Sequence, residues 1–276
     1  MTDLDDALAG IDAWGADHAA AMVLDAVGVL TGRGDAAHAI RWASVTKLAT
    51  AWAVLIAVDR GLAGLDEPWG PAGSTVRHLL AHASGLPFEG TATIAPPATR
   101  RIYSNPGYDA LGALIAERCA EPFDAVLREW VLAPLGMDET RLLDRPSQGL
   151  HGPIGDVAAL AAELLRPTLV AGARAGAAVR VAFPGLAGVV PGIGKFDPCD
   201  WGLGPELHDG KRPHWMGERN SPETYGHFGG SGSFAWVDPI AELALVVLTD
   251  REFGPWALEA WPVLSDAVIA AARPHH

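Results

Sequence analysis

The chain has 276 residues, with 20 Lys and Arg against 33 Asp and Glu and a formal net charge of −13. That length fits one large domain, or one domain carrying an insertion, and a hydrophobic content of 49% can fill a sizeable core. The acidic balance, unrelieved by any Lys/Arg cluster, repels phosphate backbones and anionic lipid, so nucleic-acid and membrane partners are excluded.

Two cysteines, Cys119 and Cys199, are too few for a disulfide scaffold or for a zinc site of their own. The start, Met1-Thr2-Asp3-Leu4-Asp5-Asp6, is acidic and polar rather than basic then apolar. A cytoplasmic location is the expectation. In chain order, Leu4, Leu8 and Ile11 recur at helical spacing and predict a helix over 2–13. Strands are expected at Ala20–Asp25 and Val27–Thr31, with Gly32-Arg33-Gly34-Asp35 as a turn. Lys47–Asp59 is almost wholly apolar and stops at Arg60-Gly61, which predicts a helix buried at the centre of its domain. Further helices are expected at 75–82, 107–119, 122–132 and 155–165. The Gly-, Pro- and Trp-rich stretch 184–226 lacks periodicity and suits a cleft wall with one or two short strands. Ser233–Val237 and Leu243–Thr249 flank Asp238-Pro239 as a hairpin, and a last helix spans about Trp256–Ala272. Strands at both ends with helices between predict an antiparallel sheet built from the two termini and an inserted helical lobe. The division expected is an α/β part at about 1–65 and 185–276 and a helical lobe at about 66–184, within one catalytic domain.

Chemistry concentrates at three places. Ser44-Val45-Thr46-Lys47 puts a hydroxyl and an amine one helical turn apart on one face. A buried lysine of lowered pKa can take the serine proton, and a helix start offers N–H groups to an oxyanion. Such a four-residue pattern is common by chance, and a capping Ser with a surface Lys is the plainer interpretation of it alone. Tyr103-Ser104-Asn105 precedes Pro106-Gly107 and a helix, which places a phenol and an amide on one side of a loop. His227-Phe228-Gly229-Gly230-Ser231-Gly232 leads into a strand, where glycine lets a ligand approach the backbone and Gly230 N–H can join Ser44 N–H in an oxyanion hole.

In order and spacing these three elements resemble the serine β-lactamase and penicillin-binding-protein superfamily, with its S-x-x-K, S-D-N and K-T-G set. The likeness is to the class C-like branch, where Tyr-x-Asn is the second motif. Arg41-Trp42-Ala43, Thr75–Leu86, Leu135-Gly136-Met137, Trp201-Gly202-Leu203-Gly204 and Phe234–Pro239 also look like segments of that family. The resemblance implies the fold of an α/β sandwich with an all-helical lobe, the β-lactamase/DD-peptidase fold. It implies Ser44 as nucleophile, Lys47 as its activator, Tyr103 as general base and proton shuttle, and Asn105 as a partner of Lys47 and substrate. No cofactor or metal is implied.

The departure is His227, which stands where the family has Lys. A lysine there is a cation suited to a substrate carboxylate, whereas an imidazole with an ordinary pKa of about 6.5 is mostly neutral. Esters and small amides become the expected acyl donors, through a Ser44 acyl-enzyme. The alternatives are a β-lactamase or D-peptide hydrolase, and a catalytically silent binding protein on the same fold. His227, Gly229, Trp201 and Trp215 are expected to line the substrate cleft with Asn105. His78 and His82 have zinc-helix spacing, but Leu79 stands where Glu is required. Gly194-Lys195 lacks the Ser or Thr of a phosphate loop, since Phe196 follows.

Overall fold

The computed structural model describes residues 2–272. The chain opens with helix α1 (Thr2–Ala7), which tightens into a 3-10 turn at Leu8–Ala13, so the expected single helix is two geometries in series. Strands β1 (Ala19–Asp25) and β2 (Val29–Gly34) follow, then β3 (Ile40–Arg41), a 3-10 turn at Ala43–Val45 and helix α2 (Thr46–Asp59). The sequence placed a turn at Gly32–Asp35. The reversal instead falls at Ala26–Gly28, where Asp25 Oδ1 accepts from the N–H groups of Val27 and Gly28, and Gly32–Gly34 continue the strand. An aspartate folding back on its own backbone makes the turn that the glycines suggested elsewhere.

The middle of the chain carries α3 (Val76–Leu80), β4 (Arg101–Ile102), α4 (Asn105–Cys119), α5 (Phe123–Leu127) with a π turn at Arg128–Leu132, β5 (Arg141–Leu142), β6 (Leu150–Gly152), α6 (Ile154–Leu165) and α7 (Gly172–Ala178). The irregular stretch contributes β7 (Gly188–Val190), β8 (Gly194–Phe196) and β9 (Glu206–Leu207). Strands β10 (Tyr225–Gly229), β11 (Ser233–Asp238) and β12 (Leu243–Thr249) precede the last helix, α8 (Pro255–Ala272).

A six-stranded sheet runs in the order β2-β1-β12-β11-β10-β9. Its middle pair joins the two ends of the chain, with Ala19 opposite Thr249 and Asp25 opposite Leu243. Strand alternation sends Ala20, Leu24, Ala235, Val237, Val246 and Leu248 to one face, against α2, α4 and α6. Ala21, Val23, Phe234, Trp236, Leu245 and Val247 face the other way, onto Leu8, Ile11, Trp261 and Val268. Because both faces are covered, β12 is buried along its whole length and reads as an unbroken apolar run.

Helix α2 is the pillar of the larger core. Every residue from Thr46 to Ala57 is buried, in keeping with a helix that is apolar on all sides. Its two threonines tie down 146–150: Thr46 Oγ1 accepts from Leu150 N–H (3.1 Å), and Thr50 Oγ1 donates to the Pro146 carbonyl (2.7 Å).

Candidate active site

Ser44 sits in the 3-10 turn that feeds α2, at the edge of an open cleft, while Lys47 is wholly buried behind it. Ala43, just before the serine, has φ +46°, a left-handed conformation that costs an L-residue about 1–2 kcal/mol. Strained backbone held by good packing next to a reactive group is a recurrent feature of functional sites.

Lys47 Nζ has three oxygen neighbours: Ser44 Oγ at 3.1 Å, Asn105 Oδ1 at 2.6 Å and the Ser147 carbonyl at 2.9 Å. Burial holds its pKa well below the ordinary lysine value, although Asp109 and Glu89 pull the other way. The two carbonyl oxygens can only accept. A neutral amine therefore spends both N–H groups on them and turns its lone pair to Ser44 Oγ. Asn105 opens α4, whose cap is the Ser104 hydroxyl accepting from Gly107 N–H (3.1 Å) with Pro106 in the first turn. Its amide orientation is set from outside: Nδ2 donates to Glu89 Oε1 (2.8 Å), Arg145 clamps both Glu89 oxygens (3.1 and 3.2 Å), and Arg145 also reaches Asp109 (3.2 Å). The sequence reading missed Glu89 and Arg145, because neither belongs to a motif and their partners lie 16 to 56 residues away.

Tyr103 lies on the loop before α4 and is buried. Burial pushes its phenol above the ordinary value, with the Ser44 hydrogen bond opposing, so it is held protonated. Its hydroxyl is 3.4 Å from His227 Nε2, and its ring centroid is 4.7 Å from Lys47 Nζ. His82, the second histidine of the zinc-like pair, accepts from Ser104 N–H through Nδ1 (3.0 Å) and packs against Tyr103 at a tilt of 31°, with centroids 4.4 Å apart. His78 instead caps its own helix at Thr75. The two serve the loop and the helix, with no common focus.

His227 is on β10, a strand that the sequence reading treated as a glycine-rich approach to β11. Burial first, and the nearby Lys47 second, push the imidazole down to about 3. The ring is therefore neutral at ordinary pH, and Nδ1 donates to the Phe228 carbonyl at 2.7 Å. Gly230 follows at the strand end and lines the cleft with Ser44.

Two expected cleft residues are elsewhere. Gly229 packs inward: a Cβ there would stand 2.4 Å from the Trp42 carbonyl, so this glycine exists to let β10 close on the Ser44 segment. Ser233 Oγ donates to that same carbonyl (2.8 Å). Trp215 is fully buried beneath the sheet, donating to Glu206 Oε2 (2.9 Å), where His214 also meets Glu206 (3.0 Å). Amphipathic tryptophans satisfy their N–H in a core as readily as at a surface. Trp201 does line the cleft, its edge packed against Tyr103 and His227 with centroids 5.8 and 5.7 Å away.

The cleft encloses about 360 Å³, walled by Phe88, Tyr103, Val190 and Phe253 and rimmed by Arg41, Gln148 and Glu252. One group of potential metal ligands comes together among the described residues, His18, Asp35 and His38, and none of these lines the cleft. No helix among the described residues is long and apolar enough to cross a membrane.

The fold has known counterparts. A β-lactamase from Mycobacterium bovis is 49% identical in sequence, and the superposition covers 96% of this chain and 99% of that one with a TM-score of 0.95. The simvastatin synthase of Aspergillus terreus, 17% identical, shares the fold over 99% of this chain and 98% of its own, at a TM-score of 0.83. Among curated proteins, penicillin-binding protein 4* of Bacillus subtilis is 27% identical over 37% of this chain and 30% of its own length. The D-alanyl-D-alanine-carboxypeptidase/endopeptidase AmpH of Escherichia coli is 27% identical over 40% of this chain and 38% of its own length. These matches span well under half of either relative. The profile of the Beta-lactamase family matches residues 19–268, nearly the whole chain, and with it the chain belongs to that family of serine hydrolases.

Proposed function

We propose that the protein is an esterase or small-amide hydrolase working through an acyl-enzyme on Ser44. The observation that carries this reading is the buried Lys47 amine, whose two carbonyl partners leave its lone pair for Ser44 Oγ at 3.1 Å. Lys47 takes the Ser44 proton as Oγ attacks the acyl carbon. The oxyanion that forms is met by Ser44 N–H and Gly230 N–H. Tyr103, held protonated by burial, gives its proton to the departing alkoxide or amine, and the Lys47 ammonium beside its ring restores it. This changes the role that the family resemblance implied for Tyr103, from general base to proton donor, and leaves the base work to Lys47. Water attacks the acyl-enzyme in the second half, with the same groups acting in reverse.

His227 supports esters over carboxylate-bearing substrates. An imidazole held neutral, with one nitrogen given to Phe228 and the other facing Tyr103, offers no cation beside the scissile bond. The test is turnover of a chromogenic short-chain ester, together with mass-spectrometric detection of a fluorophosphonate adduct on Ser44. Absence of both sinks the proposal. The 49% identity to a β-lactamase favours β-lactam hydrolysis as a second reading. Nitrocefin turnover exceeding ester turnover, and vanishing in Ser44→Ala, would put that reading first.

A further inference from the structure

Beyond Phe88, Tyr103 and Pro191 the catalytic cleft continues into a second, larger concavity of about 730 Å³, and those three residues line both. Its wall is the small sheet in which β4 pairs parallel with β7 and β7 antiparallel with β8. Phe88, Ile94 and Val189 face it at 50%, 61% and 46% exposure, a concentration of apolar surface that is left to water. Two cations stand with them. Arg100 and Lys195 line the trough, both exposed, and among the described residues neither makes an ion pair or a side-chain hydrogen bond. Asp197 is the acidic residue of the trough, and it pairs with neither of them. Arg101 is different in kind: it is buried and donates to the carbonyls of Ala81, Ala182, Phe183 and Cys199, so it holds the wall together and is not available to a ligand. Two unpartnered cations on an apolar trough are unexpected in a chain of net charge −13.

We propose that this trough receives the distal arm of the ester substrate, an apolar arm that ends in an anion held by Arg100 and Lys195. The inference rests on the ester reading above and deepens it. The neutral His227 removes anion recognition from the scissile bond, and these two residues restore it at the far end of the substrate, where it selects the arm without disturbing the acyl centre. Apolar contact provides the attraction and the cations provide direction, since a terminal charge penalises the reversed pose. The arm can lie on the acyl side or on the alcohol side of the ester.

The experiment compares kcat/KM for p-nitrophenyl acetate, p-nitrophenyl octanoate and the mono-p-nitrophenyl ester of suberic acid, which is octanoate with a carboxylate at its far end. A parallel pair, octyl acetate and the acetate ester of 8-hydroxyoctanoate, places the arm on the alcohol side. An ω-phosphate ester of the same length distinguishes a phosphate from a carboxylate terminus. The expected result is that, on one side of the ester, the anionic substrate exceeds its uncharged counterpart by about tenfold or more, an advantage that salt weakens. Lys195→Glu and Arg100→Glu each reverse this preference. Both side chains are exposed, and a melting curve checks the fold of each variant. Acetate turnover with no gain from the longer arm, or a gain from length with none from the anion on either side, overturns the proposal and leaves the ester reading standing. Failure of every ester together with no Ser44 adduct brings down the ester reading itself.

Discussion

Tyr103 Oη lies 3.4 Å from Nε2 of His227, and the Phe228 carbonyl decides what that contact can be. A carbonyl only accepts, so His227 Nδ1 carries the ring proton and Nε2 presents a bare lone pair to the phenol. In the resting site the Tyr103 proton has a place to point, away from Lys47. Removing that acceptor with His227→Phe is expected to lower kcat for a short ester about tenfold or more, with KM changed far less. Tyr103→Phe, which removes the proton itself, is expected to cost about a hundred- to ten-thousand-fold. Steady-state kinetics on the folded variants checks both, and equal losses in the two would contradict the assignment of the proton to Tyr103.

Glu89 is the second prediction. It holds the Asn105 amide so that Oδ1, not Nδ2, meets Lys47, and its charge raises the Lys47 pKa against the effect of burial. Lys47 reacts as the free amine, so labelling of Ser44 by a fluorophosphonate should appear as pH rises through the lowered pKa of Lys47. Glu89→Gln removes the anion, and that acid limb should move to lower pH while the plateau rate falls because the amide can turn over. A plateau loss with an unmoved limb would mean that Glu89 acts on geometry alone.

Gly229→Ala tests how closely the sheet is pressed on the nucleophile. The new methyl would meet the Trp42 carbonyl at 2.4 Å and Ser233 Oγ at 2.6 Å, two atoms fixed by a mutual hydrogen bond. A loss of about 1–3 kcal/mol of stability is expected from the overpacking, accompanied by slower Ser44 labelling. Gly230→Ala, where a Cβ meets nothing within 4 Å, should leave the melting temperature nearly unchanged. Chemical denaturation of the two variants side by side gives the comparison.

Acid should destabilise the fold early. Burial, joined by neighbouring cations, pushes His227 to about 3 and His208 to about 4, and pushes His82 well below the ordinary imidazole value. Unfolded, these rings take up protons near pH 6.5. Between that pH and their native values the unfolded chain binds more protons, so the contribution of these rings to stability is complete above about 6.5 and falls as pH drops. Asp200, which burial raises to about 6, acts in the opposite sense, one carboxyl against several imidazoles. A melting temperature that stays flat between pH 7 and pH 5 would contradict this balance.

The elements that carry the site were legible wherever a local rule was enough. The apolar run after Ser44 announced a buried helix, and a helix was expected from 107 with Tyr103-Ser104-Asn105 on the loop before it; Tyr103 is on that loop, but the Ser104 cap starts the helix two residues earlier, at Asn105. The terminal sheet followed from strands at both ends. Chain-distant pairings stayed hidden. Glu89 looks like any loop acid until Arg145 and Asn105 arrive from elsewhere in the chain. Gly229 and Gly230 are indistinguishable as letters, yet one faces a carbonyl and the other open space. Trp201 and Trp215 share an aromatic-rich stretch and were given one role. What separates them is their neighbours, Tyr103 and His227 for Trp201 but Phe228 and Phe234 for Trp215, and these come from distant strands and loops that no local pattern connects to them.

The buried helix α2 sets a hierarchy of opening motions. Its amide hydrogens lie at the centre of the larger core, so they should exchange with solvent only when the whole molecule unfolds, whereas the three-residue strands β7 and β8 can open by themselves. On this expectation Lys47 in α2, with Ser44 in the turn that feeds it, belongs to the part of the protein that opens last, and the trough wall to a part that opens sooner. Changes that retune what the trough admits can accumulate on that wall with little risk to the nucleophile, whereas a change inside α2 threatens fold and catalysis together.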